Sequence, residues 1–270
     1  MSPIPRLVGM VHLLPLPGSP GFKGSVDEVL EAAVADAVTL AGAGFPALLI
    51  ENFGDVPFHA DRSDPETVAA MTLAARMVSD ATGLPFGVNV LRNDALTALA
   101  IAAVAGAAFI RVNVLTGVMY TDQGPIVGRA DELARRRAAL APGVEVWADV
   151  LVKHATPPPG LDIRQATEDT VSRGLADAVI VSGAGTGLEP DLQEAALARS
   201  VLPKDTRLVV GSGAEVGNLG RLVEVADTVI VGSYLKLDGV ANEPLDPGRV
   251  SAFIETARHH GLIQNQQLRT

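Results

Sequence analysis

Residues 176–183 read ADAVIVSG, and residues 226–233 repeat this pattern as ADTVIVGS. A shorter version, VVGSG, occupies residues 209–213. Each is an apolar run, short enough to be a strand buried on both faces, that ends in Gly and Ser before a stretch with the pattern of a helix. Repeats of this kind predict consecutive βα units of a closed parallel barrel.

Apolar runs of similar length recur along the whole chain and alternate with helical patterns. Eight strand–helix alternations predict an α/β fold, a (β/α)8 TIM barrel, that occupies residues 1–270 as a single domain. A doubly wound open sheet is the alternative, but no Gly-x-Gly-x-x-Gly pattern follows the first strand. The predicted strands are residues 7–11, 47–50, 86–90, 109–112, 144–150, 179–181, 208–210 and 229–231.

Capping residues and glycines mark the predicted helix boundaries. Ser25, three residues before Glu28, forms a capping box at the start of a helix that ends near Gly42 or Gly44. Further helix starts are predicted at Asp64-Pro65, Asp246-Pro247 and Glu189-Pro190. Predicted C-terminal stops are Gly83, Gly106, Gly174 and Gly261.

The composition limits the class of protein. The chain has 270 residues, 48% hydrophobic and 19% charged, which is enough apolar material for one large core. It has no cysteine, so disulfides, zinc–thiolate sites, iron–sulfur clusters and thiol nucleophiles are excluded. A net charge of −10 argues against nucleic acid or an anionic membrane as the main partner. An anionic ligand would therefore be bound locally, by backbone amides and a few Arg or Lys.

Membrane insertion is not expected, because no uninterrupted apolar stretch approaches the roughly 20 residues that a bilayer-spanning helix needs. Residues 1–6 also lack the charged and apolar regions of a signal peptide. These features predict a cytoplasmic protein.

The Gly-Ser strand ends predict a phosphate site. Where late strands of a (β/α)8 barrel end in small residues, their backbone N–H groups and the following helix N-terminus can hold a phosphate. The expected partner is a small anionic, phosphorylated ligand. The predicted cradle consists of Ser182, Gly183, Gly211, Ser212, Gly213, Gly232 and Ser233.

Polar residues follow nearly all of the remaining predicted strands. In a barrel, the carboxyl-terminal ends of the strands form the active-site mouth. Glu51, Arg111 and Asp149 lie in otherwise apolar strands, so their burial requires either each other or a ligand. A structural ion network that plugs the mouth is the alternative to a functional site. The predicted functional residues at the mouth are His12, Glu51, Asn89, Arg111, Asn113, Asp149 and Lys153. The other polar residues at these strand ends are Asn52, Arg92, Asn93, His154 and Ser182.

Each residue type suggests a role. Glu51 and Asp149 are on non-adjacent strands, which suits an acid and a base on opposite sides of one substrate. Arg111 would clamp an anion or keep a carboxylate ionised. Lys153, if buried, could form a Schiff base with a carbonyl substrate, and as an alternative it is an ordinary polar loop residue.

Asn89, Asn113 and His12 would orient substrate hydroxyls, although His12 could instead cap its strand or pack near the prolines that follow it. Lyase or isomerase chemistry is favoured, and glycosidic-bond cleavage stays open. We expect no cofactor, with Mg2+ as an open alternative, since oxygens of Glu51, Asp149, Asn89 and Asn113 could bind it.

Two further expectations concern the surface. Residues 115–129, which are Gly-rich and show no obvious strand, and residues 157–160 are predicted lids over the mouth. Residues 96–104 carry more small apolar surface than one barrel must bury, which indicates a homo-oligomer, with the Ala-rich composition of the chain as the alternative explanation.

Several motifs resemble the BtpA/SgcQ family. They are GMVHLLPLPGSP at residues 9–20, ENFGDVPF at 51–58, GVNVLRN at 87–93, RVN at 111–113, ADVLVKHA at 148–155, SGAGTG at 182–187, GSG at 211–213 and GSYLK at 232–236. The resemblance spans nearly the whole chain.

This resemblance implies a TIM barrel similar to the phosphate-binding barrels of tryptophan biosynthesis. One branch of the family is linked by name to photosystem I biogenesis and another to sugar-utilisation gene sets. The family supplies no chemistry that can be assigned residue by residue. A non-catalytic assembly or stability factor of the photosystem type is therefore the alternative to an enzyme. A pure scaffold would have no need to keep Glu51, Arg111, Asn113 and Asp149 unpaired with one another.

Overall fold

The computed structural model describes residues 5–183, 185 and 191–263. Eight of its strands are parallel and close into a barrel in the order β1-β11-β10-β9-β7-β4-β3-β2. This confirms the predicted single-domain (β/α)8 barrel. The strands are β1 Leu7–His12, β2 Leu48–Glu51, β3 Phe86–Asn89, β4 Phe109–Val112, β5 Val118–Thr121, β6 Gly124–Val127, β7 Glu145–Asp149, β8 Ala155–Thr156, β9 Ala178–Val181, β10 Arg207–Val210 and β11 Thr228–Val231.

Within the described residues, eight α-helices accompany the barrel strands, and two 3-10 turns, Ser233–Leu235 and Leu237–Gly239, follow β11. The helices are α1 Val26–Ala43, α2 Pro65–Thr82, α3 Ala95–Ala105, α4 Ala130–Leu140, α5 Ile163–Ser172, α6 Leu192–Val201, α7 Leu219–Val225 and α8 Pro247–His259.

The capping residues act largely as predicted. The Ser25 hydroxyl accepts a hydrogen bond from the Glu28 N–H at 3.2 Å, and Gly44 ends α1 in the left-handed conformation. Asp246 caps α8 through its carboxylate, whereas Asp64 caps α2 without a side-chain hydrogen bond. The helix predicted to start at Glu189-Pro190 is α6, which begins at Leu192 with Asp191 as its cap; residues 189 and 190 lie outside the described residues.

Alternate side chains of the strands fill the barrel interior. In the middle, the rings of Phe109 and Trp147 stack with centroids 4.0 Å apart among aliphatic side chains from the other strands. At the amino-terminal end, Arg207 Nη1 lies 3.1 Å from Glu145 Oε2, and the Trp147 indole N–H donates to the same oxygen at 2.8 Å. Glu145 and Arg207 are the first residues of β7 and β10, so this ion pair lies at the amino-terminal end of the barrel.

The segment between β4 and α4 differs from the prediction. Residues 115–129 contain the antiparallel hairpin β5–β6, and β5 also pairs with β8, where Thr121 lies opposite Ala155. The prediction that this segment has no strand is therefore wrong. The hairpin was missed because Gly124 and Pro125 interrupt its alternation of apolar and polar residues. Its role as a lid stays a prediction.

The Ala-rich helix α3 packs against neighbouring helices and strands of the same protomer. It contacts both α2 and α4, and Val104 is its only exposed residue. The small side chains therefore have a use in close helix packing inside one protomer. The homo-oligomer stays a prediction without this support.

Among the helices of the described residues, none combines the length and the apolar character that a membrane span requires.

Candidate functional site

The candidate site is the carboxyl-terminal mouth of the barrel. The strand register places His12 beside Glu51, Glu51 beside Asn89, and Asn89 beside Arg111, so these residues form one level of the interior. On the other side of β1, Gly211 follows β10 and Gly232 follows β11. Most strand ends at the mouth therefore carry polar side chains, and two neighbouring ones present bare backbone.

The two glycines face the same interior space. A methyl group added at Gly211 would lie 3.3 Å from both Arg111 Nη2 and Ser182 Oγ. One added at Gly232 would lie 3.1 Å from His12 Cε1. A side chain at either position would enter the space that a ligand at the mouth needs.

Arg111 and Asp149 form a buried ion pair. Arg111 donates to the Asp149 carboxylate through Nε and Nη2, both at 2.9 Å, and the two side chains are 3% and 0% exposed. Asn113 Nδ2 and Ser182 Oγ also donate to it, at 3.3 and 3.1 Å. Burial alone would lower the pKa of Arg111, but Asp149 and, more weakly, Glu51 raise it above its ordinary value. The alternative of a structural ion network therefore applies to these four residues.

Glu51 is outside this network. Its carboxylate is 8% exposed and accepts no hydrogen bond from any described residue; the His12 imidazole lies near it, with Nε2 at 3.8 Å from Oε1. Burial raises the pKa of Glu51, and the charges of Arg111 and Lys153 offset part of that rise. Burial of a carboxyl group without a partner costs free energy of folding. A group that is kept in spite of this cost is a candidate for a functional role.

His12 is held as a neutral imidazole. Its ring stacks on Phe53 with centroids 4.7 Å apart, and its buried Nδ1 has no hydrogen-bond partner in the described part of the chain. Burial lowers the pKa of His12 to about 3, and the nearby charges of Lys236 and Lys153 add to this effect. His12 can therefore donate or accept a hydrogen bond at neutral pH without carrying charge.

Asn89 offers an unused acceptor. Its Nδ2 donates to the Arg111 carbonyl at 3.2 Å and to Asn113 Oδ1 at 3.1 Å, which fixes the amide orientation. Its Oδ1 is buried and accepts no hydrogen bond within the described ranges. A buried amide oxygen of this kind needs a donor, and a substrate hydroxyl would provide one.

Lys153 lies on the loop after β7. The loop is held by Arg92, whose Nη2 donates to the Lys153 carbonyl at 2.6 Å, and by left-handed backbone at Leu151 (φ 47°) and His154 (φ 56°). The half-buried Lys153 ammonium makes no hydrogen bond or ion pair with any residue that the structure describes. Burial, followed by the charge of Arg111, lowers the pKa of Lys153 to about 8.

Some polar groups of the predicted phosphate cradle already make hydrogen bonds within the protein, and others do not. The Ser182 hydroxyl bonds Asp149, the Gly211 N–H donates to the Val181 carbonyl at 3.0 Å, and the Ser212 hydroxyl donates to the Gly185 carbonyl at 3.3 Å. Gly183 is buried beside residue 184, which lies outside the described residues. The N–H groups that donate to no described acceptor are those of Ser212, Gly213, Gly232 and Ser233.

The loop after β10 is braced rather than helical. Asn218 Nδ2 donates to the Gly213 carbonyl at 2.8 Å, and its Oδ1 accepts from the Glu215 N–H at 2.9 Å. Helix α7 begins only at Leu219, so an anion here would meet loop amides and not the helix N-terminus that the sequence predicted.

Two further cations lie at the mouth; Arg92 is among the polar residues that the sequence places there, and Lys236 is not. Arg92 is buried, and Lys236 is 3% exposed with Nζ bonded to Asp36 Oδ2 at 2.6 Å. Position after a strand end was the only sequence signal for either. With Arg111 and Lys153 they place four positive side chains around the mouth of a chain whose net charge is −10.

The described residues contain no group of three or more His, Asp or Glu arranged to hold a metal ion. Asn113 and Asp149, two of the four oxygen donors considered for Mg2+, are already bonded within the ion network. A side cavity of about 210 Å³ borders Asp149 and is walled by the hairpin and α5, including Met119, Leu161 and Thr170.

The fold is a TIM barrel. At its mouth, unpaired ionisable groups share one space with strand ends that carry no side chain. The chain belongs to the BtpA family, whose model matches residues 5–259.

Relatives of known sequence extend this similarity. The chain is 50% identical to the photosystem I biogenesis protein BtpA of Synechocystis sp., over 92% of this chain and 86% of the relative. It is 49% identical to an uncharacterized protein of Thermococcus kodakarensis, over 93% and 95% of the two chains. Among solved structures, thiamine phosphate pyrophosphorylase from Pyrococcus furiosus superposes with a TM-score of 0.57 over 94% and 96% of the chains at 12% identity, which shows a shared fold.

Proposed function

We propose that this protein is an enzyme that acts on a small phosphorylated metabolite, with lyase or isomerase chemistry at the barrel mouth. The observation that carries the proposal is the unpaired, buried Glu51 carboxyl group at the same mouth as the free amides that follow β10 and β11. A scaffold would gain stability by filling or pairing these groups.

The free amides suit the phosphate. Ser212 and Gly213 follow β10, Gly232 and Ser233 follow β11, and these strands are neighbours in the barrel. Backbone N–H groups in such loops can surround an anion. Arg92 and Lys153, which pair with no carboxylate among the described residues, add long-range attraction for a negative ligand.

Glu51 is the best candidate for proton transfer. Because its pKa is raised toward neutral pH, the Glu51 carboxyl group can both give and accept a proton during a turnover. Asp149 was predicted as the second acid or base, but its four hydrogen bonds favour a structural role in holding Arg111. Neutral His12 and the Asn89 oxygen would orient substrate hydroxyls.

The second candidate function is a non-catalytic assembly or stability factor. It is favoured by the 50% identity to a protein named for photosystem I biogenesis and by the pairing of Arg111 with Asp149. It offers no use for an unpaired Glu51, so we rank it second.

The deciding experiment is a thermal-shift screen of sugar phosphates and nucleotides, each beside its dephosphorylated form, with and without Mg2+. A ligand that binds only the folded state raises its melting temperature. We expect a phosphorylated compound to raise the melting temperature while its dephosphorylated form does not. Ser212→Asp should abolish the shift, and Ser200→Asp, at an exposed site on α6, should retain it.

Catalysis is then tested with Glu51→Gln, which keeps the shape of the side chain and removes its proton transfer. Retained binding with turnover reduced at least 100-fold is expected, in line with the usual contribution of an acid–base group. No shift from any phosphorylated compound, with the protein folded, would favour the assembly factor.

A further inference from the structure

We propose that Lys153 forms a Schiff base with the substrate, so that the phosphorylated metabolite is an aldehyde or a ketone. This inference rests on the proposed function and deepens it. It selects one covalent mechanism and one substrate class from those that the mouth could serve.

The position of Lys153 carries the inference. This residue follows β7 at the carboxyl-terminal mouth, where Arg92 from the loop after β3 bonds its carbonyl, and its amine pairs with no carboxylate among the described residues. The buried Lys236, by contrast, is neutralised by Asp36 at 2.6 Å. A lysine that served only to attract anions would work as well on an open surface.

The loop holds Lys153 in a fixed place. Leu151 and His154 both adopt left-handed backbone, which costs non-glycine residues about 1 kcal/mol or more each. Arg92 clamps the intervening carbonyl, and β8 pairs with β5 just beyond. Strain kept by surrounding contacts is typical of a group that must be positioned for reaction.

The amine is also in the reactive form. With a pKa near 8, roughly a quarter of Lys153 is unprotonated at pH 7.5, against about 0.1% for an ordinary lysine. Only the unprotonated amine is a nucleophile.

The chemical step balances with groups at the mouth. The amine nitrogen attacks the carbonyl carbon and a C–N bond forms, while one N–H proton passes to the carbonyl oxygen to give a hydroxyl. Protonated Glu51 then gives its proton to this hydroxyl, the C–O bond breaks, and water leaves as the nitrogen lone pair forms the C=N bond. The products are a protonated Schiff base, one water and the Glu51 carboxylate.

This carboxylate is then ready for the next step. The Schiff base withdraws electrons from the neighbouring carbon, and Glu51 can remove a proton there, which leads to isomerisation. Loss of a carbon–carbon bond at the same place leads to lyase chemistry. Both outcomes use the same two residues.

The chain provides its own controls, since it has only four lysines. Lys23 and Lys204 are exposed, and Lys236 is held by Asp36. The protein is incubated with sodium cyanoborohydride and, in turn, dihydroxyacetone phosphate, glycolaldehyde phosphate or ribose 5-phosphate. Intact mass and peptide mapping then locate the reduced adduct.

We expect one adduct, on Lys153, formed at least ten times faster from a phosphorylated probe than from its dephosphorylated form. Lys153→Arg should abolish the adduct, Glu51→Gln should slow it at least tenfold, and Lys204→Arg should leave it unchanged. No adduct from any of the three probes, or equal labelling of Lys153 and the exposed lysines, would overturn the inference.

The two proposals fail in different ways. If Lys153→Arg still turns over a phosphorylated compound found in the thermal screen, the Schiff base is wrong and the enzyme remains. If no phosphorylated compound stabilises the wild-type protein, the proposed function itself is wrong.

Discussion

Arg111 on β4 and Asp149 on the adjacent β7 are joined by two hydrogen bonds of 2.9 Å at the centre of the barrel mouth. The pair is fully buried, so each charge depends on the other. It forms a rigid, neutral floor for the mouth and separates Asp149 from the ionisable groups that remain unpaired. In the proposed function, reactive chemistry would therefore fall to Glu51 and Lys153.

Breaking this pair from one side should be costly. Arg111→Met leaves a buried carboxylate without its cation, and Asp149→Leu leaves a buried guanidinium; each should lower the free energy of unfolding by about 3–5 kcal/mol. The double variant should recover most of that loss, because no uncompensated charge remains. Urea unfolding at pH 7 measures all three. Single losses below about 1 kcal/mol would show that water reaches the pair.

His12 should make the fold sensitive to acid. Its pKa is lowered to about 3 in the folded protein, so between pH 6.5 and 3 the unfolded chain binds a proton that the folded protein does not. Stability therefore falls as the pH is lowered through this window, by on the order of 3 kcal/mol at pH 4. His12→Asn should flatten the decline in urea unfolding between pH 7 and pH 4. His259→Asn, at an exposed site on α8, should not; equal slopes in both variants would contradict the assignment.

Gly211 should not tolerate a side chain. A methyl group there would lie 2.4 Å from Ile180 Cγ2 and also approach Arg111, so Gly211→Ala should lower the free energy of unfolding by about 1–3 kcal/mol. Gly42→Ala is the matched control, since Gly42 is helical and has nothing within 4 Å of an added methyl. That change should stabilise by about 0.5–1 kcal/mol. Thermal or urea unfolding of the two variants measures both changes. If Gly211→Ala leaves the free energy of unfolding unchanged, the strand end can shift to accommodate the methyl group.

The amine of Lys153 should titrate well before the exposed lysines. Competitive acetylation at a series of pH values, read by peptide mass spectrometry, should give a midpoint near pH 8 for Lys153. Lys204, at an exposed site, serves as the reference lysine. Arg111→Met should raise the Lys153 midpoint, because Arg111 is one cause of the lowered value. A midpoint for Lys153 at that of Lys204 would remove the basis for its role as a nucleophile.

The barrel could be predicted from sequence because its strands are buried on both faces. Such strands appear as short apolar runs, and all eight predicted runs end within one residue of the strand in the structure. The runs predicted at 86–90 and 144–150 each extend one residue too far, since β3 ends at Asn89 and β7 at Asp149. The alternation within strands also holds: Asp149 lies on the interior face with Trp147, as predicted.

The pairing at the mouth could not be predicted in the same way. Sequence identifies which residues end each strand, but the stagger between strands decides which of them meet. Arg111 therefore pairs with Asp149 and not with Glu51, a choice that the chain order does not reveal. The exposed hairpin β5–β6 gives no clear signal for another reason. Gly124 and Pro125 interrupt its alternation, and because only Met119 and Ile126 of its residues are buried, no apolar run results.

The glycines that follow β10 and β11 make the mouth asymmetric, with open space on one side and fixed side chains on the other. A substrate whose phosphate occupies the open side can enter in one orientation, and its carbonyl carbon then turns the same face toward Glu51 in every turnover. Proton delivery to that carbon would be stereospecific even for a substrate that is not itself chiral. The handedness of the product would thus originate in two positions that have no side chain.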